Sequence, residues 1–200
     1  MTVEDGPRKL GDSDLVLTWA AEFAGYFAEA AESLRDTASQ AEQECCESLE
    51  SRGVQAWGSS TELEPQEHQL FVRARATGHA GALLSLFAIE VALKAYQIRD
   101  MGEYEREHDL RKLFDSLNKT TKARLEELCP GVTETVTKHR NGFVSLRYLF
   151  EELGKSKRAE IPKSADPLHG VAKKIAEALR EEPEIQESVA AGRTSSRSDG

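Results

Sequence analysis

Residues 65–99 read PQEHQLFVRARATGHAGALLSLFAIEVALKAYQIR. Pro65 suits the first turn of a helix, where a missing N–H costs nothing, and Leu83, Leu86 and Phe87 then share one face of a 3.6-residue period. The stretch therefore predicts one long helix ending near Arg99, and its flanks continue the pattern. Upstream, Ser13 can cap a helix whose apolar stripe is Leu15, Trp19, Phe23, Phe27, Ala30, Leu34 and Ala38, ending near Gly53. Trp19, Phe23 and Phe27 are read as core. From Ala38 to Glu50 the stripe thins, so that end is expected to project from the domain or pack on a partner chain. Residues 53–64 form a loop.

Downstream, Asp100 to Glu107 is a connecting loop. A third helix carries Leu110, Leu113, Phe114, Leu117, Leu125 and Leu128 and stops at Pro130. Thr133 caps a fourth bearing Val136, Phe143, Leu146, Phe150 and Leu153, closed by Gly154. Lys155 to Lys163 is a basic linker, and Asp166-Pro167 opens a fifth helix with Leu168, Val171, Ala172, Ile175 and Leu179 on one face. The expected architecture is all-α: an up-and-down four-helix bundle with an additional C-terminal helix. Residues 1–12 are expected to be flexible, 13–180 one domain, and 181–200, almost without apolar anchors, a disordered tail.

Composition narrows the functional classes. A 200-residue chain that is 39% hydrophobic supports one core. The longest uncharged window, Ala76 to Ile89, falls short of the roughly 20 residues of a membrane span, and no basic stretch precedes an apolar one at the N-terminus, so a cytoplasmic protein without membrane contact is expected. Cys45 and Cys46 are adjacent and Cys129 stands alone, which is no metal-ligand spacing. Free thiols, no metal and no cofactor are expected. Net charge is −9, yet residues 131–180 hold 10 bases against 6 acids while residues 1–60 hold 4 against 12, so nucleic acid is to be sought in the former segment.

On an ideal fourth helix Arg140 and Arg147 lie along the apolar stripe, two turns or roughly 10 Å apart, with His139 in the same sector and Glu151 one turn beyond Arg147. A guanidinium in an apolar face requires a carboxylate, a phosphate or a wet interface. Glu90 and Lys94 lie on the Leu83 face of the second helix, so an ion pair from Glu90 to Arg140 or Arg147 is expected. The bland reading is a register-fixing pair; the functional one is a ligand site at an inter-helix cleft.

These residues resemble the HEPN domain family, the helical nucleotide-binding family of higher eukaryotes and prokaryotes. Ala88-Ile89-Glu90-Val91-Ala92-Leu93-Lys94-Ala95 is similar to the Glu and Lys signature of its second helix, His108-Asp109-Leu110 to its third-helix opening, and Arg140-Asn141 to its Arg followed by a polar residue. The likeness spans residues 78–153. It implies a metal-independent endoribonuclease, often of bacterial conflict or defence systems, whose Arg and a following His from two protomers form a composite site. Here positions 145, 146 and 147 are Ser145, Leu146 and Arg147, so that His is absent. Arginine, always protonated, cannot be the base, although it can stabilise phosphate charge, which leaves His139 or His108 as substitutes.

Two readings follow. The first is a HEPN-like dimer that binds RNA or a nucleotide, and cleaves RNA, at Arg140, Asn141 and Arg147. The second is an inactive module that dimerises or docks a protein partner through the same face. Either way a homodimer is expected, with an interface including His139, Arg140, Phe143 and Arg147.

Overall fold

The structure, a computed structural model, describes residues 8–9, 13–54, 62–142 and 167–187. It is mostly helical, as the periodicity predicts. Helix α1 spans Ser13–Ser51 and α2 Pro65–Met101; α3, α4 and α5 are short, at Leu110–Ser116, Lys119–Leu128 and Val132–Lys138; α6 is Leu168–Arg180. Two-residue strands β1 (Arg8–Lys9) and β2 (Glu103–Tyr104) pair antiparallel, Arg8 opposite Tyr104, which ties down part of the segment expected to be flexible.

Helices α1 and α2 form a long antiparallel hairpin with α6 laid along both. Their contact is built from small residues: Ala21, Ala24, Ala28 and Ala31 of α1 are buried, and a Cβ on Gly81 of α2 would stand 3.1 Å from the Ala31 carbonyl oxygen. Backbones this close leave no space for indole or phenyl rings. The aromatic stripe therefore turns away from the core: Leu15, Trp19 and Phe23 are exposed and Phe27 is only half-buried. This reverses the sequence expectation of core positions for Trp19 and Phe23, whereas Phe27 still packs against the core from its edge.

The far end of the hairpin does not project. Ala41, Cys45 and Leu49 are buried, and the buried Glu67 receives Ser48 Oγ at 2.9 Å and Arg52 Nη2 at 2.8 Å while its side chain caps α2 through the Glu64 N–H. The same partners, led by that backbone hydrogen bond, outweigh burial and hold the Glu67 carboxyl below its ordinary range. Gly102, in the left-handed conformation at φ 78°, ends α2.

The predicted third helix is two. α3 stops at Leu117, and Asn118 restarts the chain as the cap of α4 by accepting from the Thr121 N–H at 2.7 Å. The predicted fourth helix also breaks: left-handed Gly131 precedes α5, which ends at Lys138, and His139, Arg140 and Asn141 form a turn. The expectations for Phe143, Leu146, Arg147, Phe150, Glu151, Leu153, Gly154, the linker 155–163 and Asp166 lie outside the described residues.

Residues 181–187, expected within a disordered tail, are instead part of the fold, and 188–200 lie outside the described residues. Residues 183–187 are helical, Ile185 is buried, and the buried Glu182 forms 2.9 Å ion pairs with Arg99 of α2 and Arg124 of α4. Helix α2 is also long and apolar enough to cross a membrane, contrary to the count of uncharged residues, though half of that apolar window is buried within the protein, as in a core helix.

Candidate functional site

The residues leading into α3 organise the site. The Glu107 carboxylate accepts from the backbone N–H groups of His108 at 2.9 Å and Asp109 at 3.1 Å and from Lys112 Nζ at 2.7 Å, which fixes the entry to the helix. Asp109 is the N-cap: its Oδ1 accepts from the Arg111 and Lys112 N–H groups at 3.0 and 3.2 Å. Its Oδ2 takes Arg140, Nε at 3.0 Å and Nη2 at 2.5 Å, while the Leu110 N–H donates to the Arg140 carbonyl at 2.9 Å. The turn after α5 is thus clamped to α3 by side chain and backbone. Burial works to raise the Asp109 carboxyl, but Arg140 and the two backbone N–H groups outweigh it and hold the group below the ordinary carboxylate range.

One residue earlier, His108 turns toward α2. Its Nδ1 lies 2.9 Å from Glu90 Oε1, and Lys94 Nζ donates to the same oxygen at 2.7 Å. Glu90 is buried, and its Oε2 has no hydrogen-bond partner among the described residues. Against an ionised carboxylate, which only accepts, Nδ1 carries the hydrogen, so Nε2 is the basic nitrogen of the neutral ring. About half of each side chain, His108 and Arg140, is exposed while their carboxylate anchors are buried. An imidazole and a permanently charged guanidinium are therefore held from below, His108 by Glu90 of α2 and Arg140 by Asp109 at the start of α3.

This corrects the predicted pairing of Glu90 with Arg140, while the alternative pairing with Arg147 lies outside the described residues. Glu90 binds Lys94 and His108, and Arg140 binds Asp109; the helix break removes Arg140 from the wheel position that would have aimed it at Glu90. His139 is the half-buried C-cap of α5 and Asn141 is exposed in the turn. His79 of α2 is half-buried and sets its Nδ1 3.2 Å from the Arg75 carbonyl of its own helix. Sequence reasoning missed Asp109 as the anchor of Arg140, although an Asp immediately before an apolar helix start is itself a capping signal. It also missed Ser85 Oγ and His169 Nδ1, 2.8 Å apart and both buried, which join α2 to α6 where solvent does not reach.

Among the described residues, no group of three or more His, Cys, Asp or Glu side chains is arranged to hold a metal ion. Comparison with protein families, with curated proteins and with solved structures finds no match to this chain.

Proposed function

We propose that the chain is a HEPN-like cytoplasmic protein of a bacterial conflict or defence system, an up-and-down four-helix bundle with an added C-terminal helix, which homodimerises and binds RNA at the site built on His108 and Arg140. The observation that carries this reading is the pairing of His108 with buried Glu90 beside that of Arg140 with buried Asp109. Arg140 spends two of its five N–H donors on Asp109, so the guanidinium retains donors for a phosphate. His108 supplies what Arg147 cannot. In cleavage without a metal, its Nε2 would take the proton of a ribose 2′-hydroxyl as that oxygen attacks phosphorus and the P–O5′ bond breaks, leaving a 2′,3′-cyclic phosphate and a 5′-oxygen that takes a proton from water, Arg140 stabilising the charge on the phosphoryl oxygens. Asn141, Lys94, Arg147 and Glu151 are the further residues this reading draws in.

A second reading, an inactive dimerisation or docking module, draws on the Arg140–Asp109 bridge and the absent family histidine: an anion must compete with a carboxylate already in place. Purified protein incubated with single-stranded and structured RNA in the presence of chelator separates the two. The first predicts salt-sensitive retention, and cleavage lost in both Arg140→Ala and His108→Ala. A dimer that neither retains nor cuts RNA leaves the second.

A further inference from the structure

The exposed aromatic ladder of α1 has no use in that site. Trp19 stacks on Phe23 with ring centroids 5.7 Å apart, Phe23 on Phe27 at 6.2 Å, and Phe27 meets Phe87 of α2 edge-on at 4.7 Å. Leu15, Trp19, Phe23 and Tyr26 are nevertheless 54, 57, 45 and 60% exposed. Applied to side chains of about 150–250 Å² each, those fractions leave roughly 400 Å² of apolar surface on one helix face, as large as the functional patches of monomeric proteins.

We infer that this face is the contact between two copies of the chain, α1 packed antiparallel on the partner's α1. The inference deepens the homodimer part of the reading above and places its interface on α1 instead of the turn that carries Arg140.

Three observations favour a second copy as the occupant. The first is area: the ladder alone supplies roughly half of the about 800 Å² per partner that a stable interface buries. The second is register. A two-fold axis across the helix between residues 22 and 23 sets Trp19 of one copy on the partner's Tyr26 and Leu15 on the partner's Ala30, large groups against large and the leucine against a small one. The third is charge. An antiparallel two-fold brings like flank against like flank, which an all-acidic rim would oppose. This rim carries both signs: Arg180 lies 2.9 Å from Glu29 and 3.8 Å from Glu22, and Lys173 2.9 Å from Glu32, so each copy's cations can meet the partner's carboxylates.

The ladder also runs on to the candidate site, since Phe87 is one turn before Glu90 and Val91 and shares their helix face. Dimers built this way would carry their two sites on the border of one interface.

Sedimentation equilibrium of the full chain at tens of micromolar tests the inference. The unmodified chain and the Val72→Glu control, exposed on α2, should be dimers, and the double variant Trp19→Glu, Phe23→Glu should be a monomer of unchanged helicity. Dimers that persist in the double variant would overturn the α1 interface and leave the homodimer standing. A monomeric unmodified chain would overturn both. In that case iodide quenching of Trp19, measured with Trp57→Phe, distinguishes a shielded ring from one left open for another protein. RNA retention by a monomer would leave the RNA reading intact.

Discussion

Asp109 decides more at the residue scale than any residue the sequence alone points to. It starts α3, accepts two backbone N–H groups, and anchors Arg140 from 31 positions away. Asparagine keeps the cap but removes the charge, so Asp109→Asn should lose about 1.5–3 kcal/mol of stability at pH 7, the range for a hydrogen bond to a charged partner. The sign with pH is fixed by the direction of the shift. A folded carboxyl held below its unfolded value of about 3.9 contributes stability that is present above that pH and lost as pH falls through the lower folded value. Urea denaturation of both forms should therefore show a gap at pH 7 that closes below about pH 4; a gap of equal size at both pH values would contradict the ion pair. His108, Glu90 and Lys94 were legible as chemistry-bearing positions, because Glu90 and Lys94 share a helical face and His108-Asp109 opens a helix. Which carboxylate takes which cation was not, since pairing depends on where the chain turns between α5 and the next segment.

Helix starts could be read from local chemistry: Pro65 and Pro167 each stand at an α-helical boundary that the proline ring specifies. Interruptions inside long apolar patterns could not. Leu117 is buried and in phase with Leu113 and Leu110, so the break at Asn118 is invisible to periodicity. The inward face of α1 was misjudged for a different reason. Hydrophobic size favours the aromatic stripe, but between Ala21 and Ala31 the hairpin is held at a separation that suits alanine and glycine, and the larger stripe is excluded there. Adding volume on the alanine side should thus cost more than deleting the largest ring on the other. Ala24→Leu is expected to destabilise by about 1–3 kcal/mol through overpacking, while Trp19→Ala changes unfolding free energy by less than about 0.5 kcal/mol in the monomer. Chemical denaturation at submicromolar concentration checks both, and a larger loss from Trp19→Ala would restore the stripe to the core.

The whole molecule is a hairpin onto which later elements are fastened by polar bolts. Lys173 and Arg180 of α6 bind Glu32 and Glu29 of α1, His169 binds Ser85, and Glu182 joins Arg99 to Arg124, so the C-terminal segment closes over three helices. Burial, with the Glu182 carboxylate beside it, pushes the Tyr96 hydroxyl well above its ordinary value and keeps it neutral beneath that closure. All-α character and one long central helix were evident from composition and period, whereas these long-range fasteners join residues up to 151 positions apart and leave no local trace. On this scaffold the proposed function requires His108 and Arg140 to act as one site. The most direct measurement is a double-mutant cycle of affinity for a non-cleavable 2′-O-methyl RNA, using the full chain, His108→Ala, Arg140→Ala and the pair. One site predicts that Arg140→Ala weakens binding by roughly tenfold or more and that adding His108→Ala costs much less than it does alone, a coupling of about 0.5–3 kcal/mol. Strictly additive losses, or no measurable RNA affinity in the unmodified chain, would contradict it.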